Sequence, residues 1–153
     1  MIKEKDYCVV LIKDFEDRLK ISLPNNQNYD CIEIDTELSI SDEEFLEKTK
    51  NYNKIIFVLE IASRKAFSFL KYILRLNEKE CVVLTNVPFL IEGLNRRQRV
   101  AEALEYLLYE RVNIEIIKCD VILKRFDKKT LFKTVIEACE DEFVYVINET
   151  VKN

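Results

Sequence analysis

The sequence predicts a doubly wound (Rossmann-like) α/β domain, a mostly parallel sheet of five or six strands with helices on both faces. Two observations carry this. Five short apolar runs recur along the chain, each the length of a strand buried on both faces. Amphipathic segments with helical spacing separate the later runs, and strands alternating with crossover helices form right-handed βαβ units.

The runs are Tyr7–Ile12, Asp30–Ile34, Ile55–Leu59, Cys81–Leu84 and Asn113–Ile117. Before the third, Ser41 and Glu44 read as a capping box and Ile40 with Phe45 as a hydrophobic staple, so a helix is expected from there to about Tyr52. Ala66, Phe69, Leu70, Ile73 and Leu74 mark a helix after the third run. Val100, Leu104, Leu107 and Leu108 mark another after the fourth. From about Thr130, the residues Phe132, Val135, Ile136, Cys139, Phe143, Val146 and Ile147 follow a helical stripe, although residues 143–147 alone would also pass for a strand. One long terminal helix is the expectation. The polar loop at 25–28 is no domain boundary, and neither a repeat nor a low-complexity linker appears, so residues 1–153 read as one domain.

Composition removes several function classes. With 153 residues, 48% of them hydrophobic, one real core is expected. A net charge of −4 argues against a broad polyanion-binding surface, so nucleic acid is not expected as the main partner. The basic group Lys124, Arg125, Lys128 and Lys129 reads as solvated surface. The start Met1–Asp6 precedes an apolar run too short to span a membrane and lacks a cleavage pattern, which predicts a cytoplasmic protein with no membrane span. There is no histidine and no Cys-x-x-Cys pair among the five cysteines, so no metal site and no Ser-His-Asp or Cys-His chemistry is expected. Cys8, Cys31 and Cys81 lie in or beside apolar runs and read as small buried hydrophobes.

The strand C-termini should carry the ligand site of such a fold, with a glycine-rich turn that lets backbone N–H groups approach phosphate. The chain has a single glycine, Gly93. After the first run come Lys13-Asp-Phe-Glu-Asp17, whose three carboxylates would repel phosphate, and after the third come Glu60-Ile-Ala-Ser-Arg64-Lys65. Arg64 and Lys65 read as a solvated first helical turn that could also attract an anion.

The fourth run continues into Leu84-Thr-Asn-Val-Pro88-Phe89-Leu-Ile-Glu92-Gly93-Leu-Asn-Arg96-Arg97. This stretch resembles the FtsZ/tubulin superfamily, whose bacterial members carry a V-V-T-K-P-F-x-F-E-G-x-x-R run before a helix rich in Ala, Glu and Leu. Val100–Glu105, Val112–Asp120 and Leu131–Asp141 are similar to the segments that follow in the family, and the likeness covers about residues 53 to 150. It implies a truncated, degenerate relative of the FtsZ GTP-binding domain without the family's second domain. By position, Glu92 would match the carboxylate holding the nucleotide ribose, Arg96 the basic residue beside it, and Asp141 the acidic residue near the guanine. Glu92 and Arg96 also read simply as a local i,i+4 ion pair, Asp141 as a solvent-facing helix residue, and Gly93 as a turn residue needed only for its backbone. The family's phosphate loop falls on Ala62–Ser68, which has no glycine, and its catalytic loop lies beyond this chain.

What the resemblance implies is therefore a pseudo-GTPase with no catalytic residue and no cofactor, GTP and GDP being the nucleotides to exclude. Its expected mode is protein contact, with itself or with an FtsZ-like or other cytoplasmic protein, through the apolar stripe of residues 132–147. In the family a second domain covers that helix. The alternative is a small nucleotide-binding protein using Arg64, Lys65 and Arg96, and a third reading makes Cys119 and Cys139 a redox sensor.

Overall fold

The computed structural model describes residues 5–24, 26–38 and 40–152. The readings made on Met1 to Glu4 and on Asn25 lie outside these residues. Strands β1 (Tyr7–Lys13), β2 (Tyr29–Asp35), β3 (Lys54–Val58), β4 (Glu80–Val87) and β5 (Asn113–Lys118) form one sheet in the order β2-β1-β3-β4-β5. Every neighbouring pair is parallel, with Val9 beside Cys31 on one flank and beside Ile56 on the other. Helices α1 (Asp42–Thr49), α2 (Arg64–Leu76) and α3 (Leu94–Tyr109) follow β2, β3 and β4, while α4 (Cys119–Leu123) and α5 (Phe132–Lys152) follow β5.

The two-residue period of a strand divides β1 between two cores. Cys8, Val10 and Ile12 pack with Phe45 of α1, Ala66, Leu70 and Ile73 of α2, and Val100, Ala103 and Leu107 of α3. Val9 and Leu11 join the opposite core with Ile122 of α4 and Val135, Cys139, Phe143 and Ile147 of α5. The result is three layers, which is how a parallel sheet satisfies apolar residues on both of its faces.

Helix α5 settles the ambiguity at 143–147. Its buried residues recur every four positions, at 135, 139, 143 and 147, and Tyr145 is 58% exposed, whereas a strand would have turned 143, 145 and 147 to one side. The buried positions of the stripe expected to need a partner, Val135, Cys139, Phe143 and Ile147, are therefore covered by this chain's own sheet, while Phe132 at its start stays 45% exposed. That removes the stated basis for dimerisation through it.

Three other expectations are corrected, at α1, α3 and Cys31. Among its described residues the β1–β2 connection carries no helix, because Leu19, Ile21 and Leu23 alternate by two ahead of Pro24 and so cannot present a helical stripe. Leu19 and Ile21 lie on the α5 side of the sheet, outside any helix or strand. Helix α1 ends at Thr49 rather than near Tyr52. Past its end, the Tyr52 hydroxyl donates to Asp30 Oδ2 at 2.5 Å. At its start Ser41 Oγ accepts from the Glu44 N–H at 3.2 Å, which is the N-cap half of the expected box. Leu108 is exposed, since the buried face of α3 is set by Val100, Ala103 and Leu107. Cys31 is exposed on the edge strand β2, while Cys8 is buried and Cys81 half-buried.

Candidate functional site

In this strand order the chain winds one way from β1 and the other way from β3, so a crevice opens beyond their carboxyl ends. Three segments meet there. Asp14–Arg18 leaves β1, Leu59–Ser63 leaves β3, and Pro88–Arg99 comprises the β4–α3 link and the first turns of α3. Residues Phe15, Glu16, Arg18, Leu94, Arg96 and Arg99 help to line a cleft of about 720 Å³ at this end of the sheet.

Glu92 and Arg96 are brought together as their spacing predicts. Phe89 is buried and its ring centroid lies 4.9 Å from that of Phe132, which anchors a single 3-10 turn at Leu90–Glu92. Glu92 Oε2 accepts from the Phe89 N–H at 2.8 Å, so one carboxylate oxygen closes the turn. Gly93 follows at φ 109°, where any side chain would be strained, and an added Cβ would meet nothing within 4 Å. Backbone freedom, rather than close approach, explains this one glycine. Arg96 lies one helical turn on, with its side chain 7% exposed and its Nε 3.3 Å from Glu92 Oε1.

The remaining contacts of Arg96 come from segments far away in sequence. Its Nη1 donates to the Glu16 carbonyl at 3.4 Å, and its Nη2 lies 3.9 Å from Glu60 Oε1. Among the described residues Nε and Nη2 have no aligned acceptor, so the guanidinium is balanced by the nearby Glu92 carboxylate more than by hydrogen bonds.

Glu60 is the residue that sequence reasoning missed. It is 2% exposed and accepts the Arg18 N–H at 3.2 Å and the Leu19 N–H at 3.0 Å, which fastens the β1–β2 connection to the end of β3. Burial, and then the charge of Asp17, pushes its carboxyl up to about 8, against the opposing pull of the two N–H donors and Arg96. Burial also raises Asp17, which accepts from Asp14 N–H at 3.0 Å and from Ser63 Oγ at 2.9 Å. Asp14, itself buried, accepts the Glu16 N–H at 3.2 Å and hydrogen-bonds Thr36 Oγ1. The turn where a phosphate loop would stand is thus closed on its own carboxylates. The available signal was an acidic residue directly after the apolar run Ile55–Leu59, where a buried carboxyl must find partners.

Other expected residues are dispersed. Asp141 lies on the exposed side of α5 and does not line the cleft. Lys65 pairs with Glu37 at 2.9 Å and lies 5.5 Å from the Phe15 ring centroid. Arg64 lines a separate cleft of about 340 Å³ with Phe67, Arg99 and Glu102. Arg64, Lys65 and Arg96 therefore do not converge on one anion.

Cys119 and Cys139 are brought together: both are fully buried, their thiols hydrogen-bond, and Asn86 Nδ2 donates to Cys119 Sγ at 3.5 Å. The mutual hydrogen bond lowers the Cys119 thiol and raises that of Cys139. Among the described residues no three Cys, Asp or Glu side chains are grouped to hold a metal ion. No helix among them is long and apolar enough to cross a membrane. Comparison with protein-family models and with curated proteins finds no match for the chain.

Proposed function

We propose that this chain is a non-catalytic relative of the FtsZ/tubulin GTP-binding domain that acts through contact with another protein, a second copy or a filament or cell-division protein. The observation that carries the reading is the closed phosphate end of the crevice. Asp14, Asp17 and Glu60 occupy the strand ends where phosphate would have to sit, and their hydrogen bonds are made within the chain. Glu92 spends one oxygen on its own turn and faces Arg96 with the other. A nucleotide-binding alternative keeps the cleft in its favour, but its three cations are divided between two clefts and Glu37.

Contact through α5 gives way to contact through the rim of the cleft. Ile91, Leu94 and Phe15 are 81%, 76% and 72% exposed, and adjacent Leu90 is 57% exposed. Large apolar side chains gathered in this way mark an interaction surface more often than solvent-facing chance. The double variant Ile91→Asp with Leu94→Asp should keep the wild-type unfolding midpoint, because neither side chain contributes to a core. It should also lose, by at least about tenfold, whatever protein the wild type retains from native extract, since two apolar anchors become charges. Equal recovery of the same protein by the double variant would remove the rim from the account.

A further inference from the structure

The basic segment that composition dismissed as solvated surface has a different character in three dimensions. Between Lys118 and Lys133 the chain carries six cations, Lys118, Lys124, Arg125, Lys128, Lys129 and Lys133, against two carboxylates, Asp120 and Asp127. That is an excess of four positive charges in a chain whose net charge is −4. All six side chains are exposed, and among the described residues none is in an ion pair. Both carboxylates already have partners. Asp120 pairs with Arg97 at 3.1 Å and accepts the Leu90 N–H, while Asp127 accepts the Lys129 N–H at 2.9 Å to shape the turn.

Apolar side chains bracket these cations. Val121 and Leu123, on α4, are 46% and 37% exposed; Leu131 and Phe132, entering α5, are 73% and 45% exposed. The turn between them lines none of the clefts around the Arg96 site, the α2–α3 groove or the amino ends of the strands.

We propose that the α4–α5 turn docks on an anionic lipid surface, with Lys124, Arg125, Lys128 and Lys129 at the headgroups and Leu123 and Leu131 inserted at the acyl boundary. Two features favour a bilayer over other polyanions. Nucleic acid offers headgroup-like phosphates but no apolar layer for Leu123 and Leu131. An acidic peptide would need a groove, and this turn lines none of the clefts just named. The negative remainder of the chain does not forbid the contact, because charges beyond a Debye length of about 8 Å are largely screened at physiological salt. The inference is independent of the protein-contact reading, which rests on other side chains.

The test is co-sedimentation of the full chain with phosphatidylcholine vesicles, with and without phosphatidylserine. Binding is expected only to the phosphatidylserine vesicles and should fall as salt is raised. The variant Lys124→Ala/Arg125→Ala/Lys128→Ala/Lys129→Ala should bind at least about a hundredfold more weakly, from the attraction of each cation to an anionic surface. Leu131→Ser, checked with the quadruple variant for an unchanged unfolding midpoint, should weaken binding with salt dependence retained. Failure to bind phosphatidylserine vesicles, equal binding to both vesicle types, or full binding by a folded quadruple variant would overturn the proposal. So would tighter capture of the wild type by polyglutamate or duplex DNA than by the vesicles.

Discussion

Raising the pH from 5 to 8 is expected to lower the folding stability of this chain by about 3 kcal/mol, from Glu60 alone. The folded carboxyl titrates at about 8 because it is buried and faces Asp17, whereas an unfolded glutamate titrates at 4.5. A folded value above the unfolded one means the native state holds its proton longer. The stabilisation is complete below 4.5 and drains away as the pH rises through 8. This is the reverse of the ordinary acid instability of paired carboxylates. Asp17, also raised by burial, contributes a slope of the same sign. Asp30 is lowered by hydrogen bonds from Lys5 and Tyr52, so its stabilisation is lost only under acid, below the usual carboxylate range. In urea the midpoint should fall by about 1 to 2 M between pH 5 and 8. Glu60→Gln should flatten most of that slope. At pH 5 it should be the less stable protein, because an amide has one acceptor for the two N–H groups of Arg18 and Leu19. A wild-type midpoint that stays level or climbs over this range would mean that Glu60 is not buried in its acid form.

Phe143→Ala should cost about 3 to 5 kcal/mol and leave the oligomeric state unchanged. The ring is fully buried in the core formed by Val9, Leu11, Ile56 and Val58 on one side and the α5 stripe on the other. Truncation leaves a cavity in a layer held on both sides by regular structure, so little collapse is available to offset it. Tyr145→Asp, on the same helix but 58% exposed, should change stability by less than about 0.5 kcal/mol. If α5 joined two copies instead, Phe143→Ala would shift sedimentation toward a smaller species and the unfolding midpoint would depend on protein concentration. The contrast between residues 143 and 145 reads the helix face directly.

These residues also show what a sequence makes legible. Continuous apolar runs located β1, β3 and β4 because a parallel strand buried on both faces must be apolar on both, while the edge strands β2 and β5 showed as runs broken by Glu33 and Glu115. Spacing identified α5 as a helix with an apolar stripe, but spacing cannot say what the stripe faces. That depends on whether another element already covers the sheet, and the β1–β2 connection, short of helical periodicity, left that face open for α5. Within the site, Glu92 and Arg96 were legible because four residues of helix bring them together. Their neighbour Glu60 was not, since it reaches Arg96 only through the closing of the β3 and β4 ends. Asp141 failed for a local reason. It sits two residues from both Cys139 and Phe143, about half a turn round the helix from the buried face, so α5 directs it to solvent.

The proposed function stands or falls on whether the crevice, with its phosphate end closed, admits a nucleotide. Calorimetric titration of the full chain with GTP and with GDP, each with and without magnesium, reads this directly. The account predicts no saturable heat up to about 1 mM ligand, a bound near −4 kcal/mol of binding free energy. Stoichiometric binding of either nucleotide well below that concentration, abolished by Arg96→Ala in a variant that remains folded, would contradict it.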